Sequence, residues 1–255
     1  MGEAADLDRG LWPSAKPVGS HFSVIEIIPQ ILALLEKHDI HVTYFVESWN
    51  LLVYPDTIDA IARAGHEIAW HAWRHEAWSK LDETAEQTNF IRSFGDEGLE
   101  GLDYISPAAE QAAMVKSNSN EDLIAILPFR WTTVDALYYM EVFGKLRKLK
   151  GFPREEPLTP TELTQKYIDQ INETIEHGGF LSLLFHPFLT TSSERIEAME
   201  AIIKYLARKR DEGVVPVPVL VLEPLRDVLQ AEVEAMQSTP RSTPVKWIDV
   251  YPPPY

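Results

Sequence analysis

The chain alternates short β-branched or aromatic runs with longer segments of helical period, and this alternation limits its fold more than any single residue does. Between Val24 and His38 the apolar positions Val24, Ile27, Ile28, Ile31, Leu32, Leu34 and Leu35 recur at three and four, the spacing of one helix face. Pro29 lies inside this pattern and suits a first turn, so the regular helix is expected to start near it. The run Val42-Thr43-Tyr44-Phe45-Val46 reads as a buried strand, and Pro55 to Ala64 as a second helix closed by Gly65. Glu67 to Trp70 reads as a second strand, and Asp82 to Phe94 as a third helix capped by Ser79 or Asp82. An order α-β-α-β-α predicts a parallel sheet with helices packed outside it, joined by right-handed crossovers.

Further along, the pattern weakens and then returns. Gly95 to Asn120 reads as a loop, and Leu123 to Phe129 as a strand ending at Pro128. Residues 132–150 carry Tyr138, Tyr139, Phe143 and Leu146 at helical spacing but do not decide between states. Thr159-Pro160-Thr161-Glu162 is a helix start, with Thr159 as cap, Pro160 in the first position and Glu162 closing the capping box. That helix runs to His177, where Gly178-Gly179 stops it, and Phe180 to Phe185 is an apolar strand delivering His186. Ser192 or Ser193 caps a helix to Glu212, Pro216 to Leu222 is a last strand, and Pro224 opens a final helix to Gln237. The domain reading is an irregular segment 1–20, an α/β domain 21–238 containing the loop 95–120, and a Pro-rich tail 239–255.

Composition then removes whole classes of function. With 255 residues a chain buries about three quarters of its unfolded surface without staples, and it has no cysteine, which excludes disulfides and thiolate metal sites. A net charge of −16 opposes binding to nucleic acid and to anionic membrane surfaces. Met1 to Asp6 is acidic and has no apolar core, and no apolar run reaches the roughly 18 residues of a membrane span, so a cytoplasmic protein is expected. Nucleotide-binding glycine motifs and a GxSxG serine motif are lacking, which leaves nucleotide and serine-hydrolase chemistry without support.

The candidate chemistry lies just past the second strand. His71 and His75 are four residues apart, and on one turn of helix that spacing sets both imidazoles on one face. Two neutral imidazoles so placed can share a zinc-like cation, with a third ligand drawn from elsewhere. Trp70, Trp73 and Trp78 flank the pair and are able to wall a pocket or to pack in the core.

Taken together, Thr43-Tyr44-Phe45-Val46, Tyr54-Pro55, Ala64-Gly65-His66-Glu67-Ile68 and His71-x-x-x-His75-Glu76 resemble the polysaccharide deacetylases with the NodB homology domain. Leu183-Leu184-Phe185-His186-Pro187 is similar to that family's late histidine motif, and the likeness is nearest to its intracellular peptidoglycan-deacetylase-like and cyclic-imide hydrolase branch. The resemblance implies an α/β fold, a distorted or incomplete (β/α) barrel of the NodB-homology type. It implies a divalent metal, zinc for preference, on His71, His75 and Asp8, with Asp6 as base and His186 as general acid. Asp6-Leu7-Asp8 is the sole candidate for the family's early aspartate motif. Glu47, Glu76 and Asp135 are other carboxylates that could stand in, and spacing selects none of them.

The family's Arg-x-Pro element, with the strand and helix around it, has no counterpart near residues 94–106, and its first strand is also missing. Open sheet edges follow, to be covered by a tail or by a second copy in a homo-oligomer. The implied function is metal-dependent hydrolysis of non-peptide carbon–nitrogen bonds in an N-acetylated saccharide or a small cyclic imide or amide. The rival is a catalytically impaired relative acting as a binding module. Trp49, Trp70, Trp73 and Trp131 are able to stack a sugar ring or simply to pack.

Overall fold

Pro29 decides where the first long helix becomes regular. Proline has no N–H to donate, and its ring crowds the carbonyl four residues earlier. In the computed structural model the turn before it, Ser23–Ile27, is accordingly a wider π-helix, and the α-helix proper runs Ile28–Lys37 with Pro29 in its first turn. The segment expected to be one helix over 24–38 is thus two helical forms in series. The structure describes residues 3–76, 80–94, 113–116, 123–126, 130–178 and 180–214. All of these fall within one compact unit, Met1–Val221.

In chain order the elements are α1 (Glu3–Asp8), the π turn, α2 (Ile28–Lys37), β1 (Thr43–Val46), α3 (Trp49–Val53), α4 (Pro55–Arg63), β2 (Glu67–Trp70) and α5 (Glu83–Phe94). Then come β3 (Ala113–Lys116), β4 (Leu123–Ile126), α6 (Asp135–Tyr139), α7 (Gly144–Leu149), α8 (Pro160–His177) and α9 (Ser193–Asp211). Short 3-10 turns lie at Trp131–Thr133, Glu141–Phe143 and Pro187–Leu189.

The strands β1 and β2 pair in parallel, Thr43 opposite Glu67 and Val46 opposite Trp70, as expected of two strands joined through a helix. A third parallel contact is a single bridge between Val134 and Leu184, where a strand over 180–185 was expected. The chain is therefore α/β and rich in helix, and a closed barrel is not formed among the described residues. Two expectations need correction. The segment 95–120 is not wholly loop, since Ala113–Lys116 pairs antiparallel with Leu123–Ile126. The first strand is not buried on both faces: Phe45 is 50% exposed, because no described element covers that face. Two short helices, α1 and α3, also form where no periodic pattern marked them. The expected strand 216–222, helix 224–237 and tail 239–255 lie outside the described residues.

Three apolar clusters hold the unit together. On α2, Ile31 and Leu35 meet Met199 and Ile203 of α9. Val24, Ile28, Tyr54 and Ile61 join the π turn to α4. The largest cluster sets Leu163, Tyr167 and Ile171 of α8 against Leu137 and Tyr138 of α6 and Ile202 of α9. Leu163, Tyr167 and Ile171 are spaced four apart on α8, which is why one helix face can bury all three. The start of α8 is the capping box read from the sequence: Glu162 N donates to Thr159 Oγ1 at 3.3 Å, and Thr159 N donates to Glu162 Oε2 at 2.8 Å. Asp82 caps α5 through Ala85 N at 2.8 Å, and Ser192 caps α9 through Arg195 N at 3.3 Å.

Short helix α6 lies inside the core, with every residue buried. Its C-terminal carbonyls would be orphaned there without donors. Arg147, itself 0% exposed, supplies them. Its Nη1 donates to Met140 O at 2.8 Å and also to Leu137 O, while Nε donates to Glu155 O at 2.9 Å. A cation at a helix C-terminus also meets the negative end of the helix dipole. Arg147 thereby fixes α6, whose first residue belongs to the site described next.

Candidate active site

The strands β1 and β2 end side by side at Val46 and Trp70, and backbone bonds continue beyond them with the register shifted by one residue. His71 N donates to Val46 O at 3.0 Å, Ser48 N to Ala72 O at 3.1 Å and Trp49 N to Trp73 O at 3.0 Å. These bonds hold residues 71–73 against 47–49 and prevent a helix from starting after β2. The His71-x-x-x-His75 spacing was expected on one helical turn. It lies instead on a tight turn over residues 72–74, with Ala72 at φ 64° and His75 at φ 65°. Left-handed backbone at a non-glycine residue costs of order 1 kcal/mol or more. Glu76 supports the turn, its carboxylate accepting from Trp73 N at 3.1 Å and from Arg74 N at 2.9 Å.

The turn still brings the two imidazoles together, with ring centroids 4.9 Å apart and planes at 68°. Burial, and then the nearby charges of His75 and His186, push the His71 pKa down to about 4. Burial lowers that of His75 as well, against the opposing pull of the Glu47 carboxylate. Both rings are therefore neutral at pH 7, the form in which imidazole ligates a metal. His71 Nε2 is buried and has no hydrogen-bond partner in the structure.

His186 is positioned by a second parallel contact. The bridge from Val134 to Leu184 is closed by Asp135 N donating to Leu184 O at 3.1 Å and Leu184 N to Thr133 O at 2.9 Å. That bridge sets Asp135, the first residue of α6, beside His186. Asp135 is 1% exposed, and both of its oxygens are used. Oδ2 accepts from His186 N at 2.7 Å, and Oδ1 lies 2.5 Å from His186 Nδ1. A carboxylate on Nδ1 fixes the proton there and leaves Nε2 as the working nitrogen. The charge of His186 reaches both His71 and His75, so the three imidazoles share one electrostatic neighbourhood.

The early aspartates are placed differently. Asp8 Oδ1 lies 3.1 Å from Arg74 Nη1, and the Asp8 side chain is 53% exposed. Arg74 in turn lies over the Trp49 ring, 5.1 Å from its centroid. Asp6 closes α1 through its backbone carbonyl, which accepts from Leu11 N at 2.8 Å and Trp12 N at 3.2 Å. Its charge acts on His21. The N-terminal helix is held down chiefly by Glu3, which accepts from Gly19 N at 2.7 Å and from the Tyr54 hydroxyl.

Of the donors that the resemblance implies for a metal, the structure brings His71 and His75 together. The buried His71 Nε2 and the adjacent His75 ring fit a cation. The oxygen donors are not gathered with them, since among the described residues no three histidine or carboxylate side chains are grouped to hold one. Of the tryptophans, Trp131 packs 5.3 Å from Phe143, and Trp78 lies outside the described residues.

Spacing alone had offered Glu47, Glu76 and Asp135 without a role for any of them. The structure sorts them: Glu76 supports the turn, Asp135 orients His186, and Glu47 lies one residue past β1 as His71 lies one residue past β2. The last placement had a legible signal, because α/β folds gather their chemistry at strand C-termini. Asp135 had none, because its partner is 51 residues away.

Residues 19–94 match the family model for polysaccharide deacetylase. An uncharacterised 30.6 kDa protein of Geobacillus stearothermophilus is 30% identical over 82 residues, 31% of each chain. The peptidoglycan-N-acetylglucosamine deacetylase of Bacillus cereus is 29% identical over 69 residues, 27% of this chain and 25% of that one. The chain thus spans less than a third of the length of either relative. A crystal structure of a polysaccharide deacetylase-like protein from Mycobacterium smegmatis shares the fold with a TM-score of 0.64 at 20% identity, over 96% of this chain and 88% of that one.

Proposed function

Because residues 19–94 match the family model for polysaccharide deacetylase, we propose that this chain is a metal-dependent hydrolase of non-peptide carbon–nitrogen bonds. Its substrate is an N-acetylated saccharide or a small cyclic imide or amide. The observation that carries this reading is the pairing of two neutral imidazoles, His71 and His75, 4.9 Å apart, together with a separate His186 ring held at Nδ1 by buried Asp135. His71 and His75 hold a divalent cation, and zinc suits their nitrogen donors. When bound, the cation supplies Lewis acidity toward the amide oxygen.

The chain's own residues do the rest. His186 Nε2 delivers a proton to the departing nitrogen, and Asp135 stabilises the ring while it carries positive charge. The family pattern offers Asp6 as base and Asp8 as the third ligand; Asp8 reaches that role only by leaving Arg74. In this reading the β1–β2 pair and the Val134–Leu184 bridge are parts of a distorted barrel, with a second copy covering open edges. No described helix is long and apolar enough to cross a membrane. A cytoplasmic setting, with no nucleic-acid partner, belongs to the same proposal.

The dispersed carboxylates favour a second reading, a catalytically impaired relative that binds its ligand without cleaving it. One experiment separates the two. Zinc per chain is measured for the wild type and for His71→Ala, and both are assayed on chitooligosaccharides and on succinimide-type rings. The hydrolase reading expects near-stoichiometric zinc, lost in the variant, and turnover of one substrate class. Bound zinc with turnover of neither class supports the impaired relative. Zinc that is sparse and unaffected by His71→Ala overturns the metal-dependent reading.

A further inference from the structure

We propose that Arg195 is a positioning residue that holds His186 on Asp135. Its side chain ties the turn after His186 to α6, the helix that begins at Asp135. The inference rests on the reading of His186 as proton donor and deepens it by naming what keeps that ring in place.

The pair needs such a tie because its halves belong to distant segments. Asp135 and His186 are 51 residues apart, and ahead of the pair the two segments share a single bridge, Val134 to Leu184. Beyond His186 the chain enters the 3-10 turn Pro187–Leu189. Leu189 N donates to His186 O at 2.9 Å, Thr190 N to Pro187 O at 3.1 Å and Thr190 Oγ1 to His186 O at 3.3 Å. These bonds all lie within residues 186–190, so they shape the turn without fastening it to α6. Leu189 shares the apolar cluster of α6, but apolar packing is non-directional and fixes no ring orientation.

Arg195 supplies the directional contacts. Its Nη1 donates to Leu189 O at 2.7 Å, and its guanidinium carbon lies 4.1 Å from the centroid of the Tyr139 ring. Tyr139 is the last residue of α6, buried, and four positions after Asp135. Residues so spaced share a helix face. Burial raises the Tyr139 pKa to about 12, and the charges of Arg195 and Asp135 act on it in opposite directions, so both groups are near its hydroxyl. Arginine suits the place because its planar group donates from its edge while it stacks through its face. The base of the side chain is fixed as well, since Arg195 N donates to Ser192 Oγ at 3.3 Å and to Ser192 O at 3.1 Å in the first turn of α9. One side chain thus joins α9, the His186 turn and α6.

The test is NMR of the full chain with its histidines labelled with nitrogen-15, and it needs no substrate. The Nδ1 proton of His186 is assigned by its loss in His186→Gln. Its exchange with solvent is compared in wild type, Arg195→Met, Arg195→Lys and Arg208→Met, each well below its own melting temperature. Arg208 lies 4.8 Å from the Tyr205 ring centroid further along α9, so its variant loses a contact of the same kind away from the turn. Exchange is expected to be at least about tenfold faster in Arg195→Met, because a bond from a charged donor is lost and the turn opens more readily. Arg195→Lys, still able to donate to Leu189 O, should recover part of the protection, and Arg208→Met should change it less than about twofold. On a substrate that the wild type hydrolyses, Arg195→Met should lower kcat about a hundredfold for a ring displaced by about 1 Å, with KM nearly unchanged.

Wild-type exchange in Arg195→Met, an equal acceleration in Arg208→Met, or a wild type whose Nδ1 proton is unprotected overturns the assignment. If the wild type hydrolyses substrate and Arg195→Met keeps both the protected proton and the rate, only the role of Arg195 falls. If the wild type hydrolyses neither substrate class, the hydrolase reading falls, and the exchange rates still decide whether Arg195 holds His186.

Discussion

Asp135→Asn is the substitution most able to expose an error in the account of His186. The carboxylate is 1% exposed and makes two contacts with one residue, to His186 N at 2.7 Å and to Nδ1 at 2.5 Å. An asparagine fills the same space but has one acceptor oxygen and one donor amide. If the oxygen keeps His186 N, the amide faces Nδ1 and forces the proton to Nε2. If the oxygen keeps Nδ1–H, a donor faces the buried backbone N–H. One bond to a charged group is lost in either case, about 1.5–3 kcal/mol, and the second survives in weakened form. A net loss of about 2 kcal/mol should lower the melting temperature by roughly 4–8 °C in a chain of this size.

Activity should fall further than stability, because a ring of the wrong tautomer, without its negative partner, is a poor proton donor. In a comparable histidine–carboxylate arrangement the same exchange lowers kcat by about four orders of magnitude. Urea unfolding and hydrolysis rates are the two assays. A midpoint unchanged from wild type, with the rate retained, would refute the claim that Asp135 both buries its charge against His186 and sets its tautomer.

Other consequences follow from burial elsewhere. Arg147→Met should destabilise the fold by about 2–3 kcal/mol, because it removes the donor to the buried Leu137 carbonyl and to the part-buried Met140 carbonyl at the end of α6; chemical denaturation that detects no loss would mean that water replaces the guanidinium. The lowered pKa of His71 has a definite sign. Above pH 6.5 the ring is neutral in both the folded and the unfolded chain. As pH falls below 6.5 the unfolded chain takes up a proton that the folded chain refuses until about pH 4, so stability is lost across that window. The loss is at most about 3 kcal/mol. Urea titrations of chelator-treated protein between pH 7 and 4 should show it, and His71→Gln should flatten the dependence; an identical slope in the variant would contradict the burial assigned to this ring.

Periodicity and local capping were legible from residues alone because they depend on neighbours within a turn or two. The α8 start at Thr159-Pro160-Thr161-Glu162, the strands around Tyr44 and Ile68 and the parallel pairing between them all follow from that local chemistry. So does the candidacy of His71, His75 and His186, since each follows an apolar run that ends in a turn. Local rules failed where two segments compete for the same backbone groups. The stretch after β2 has helical spacing in its histidines, yet Val46 accepts from the His71 N–H and residues 48 and 49 donate to the carbonyls of Ala72 and Trp73, which bends it into a strained turn.

The partition of the carboxylates belongs to tertiary structure alone. Asp135 meets His186 across 51 residues, Asp8 meets Arg74 at the surface, and Glu47 is buried one residue past β1. Sequence determined which side chains are able to titrate or ligate, because that is a property of each residue. Which of them meet was decided by the β1–β2 ladder, the Val134–Leu184 bridge and the anchoring of α6 by Arg147, because distance between side chains depends on how the backbone is folded.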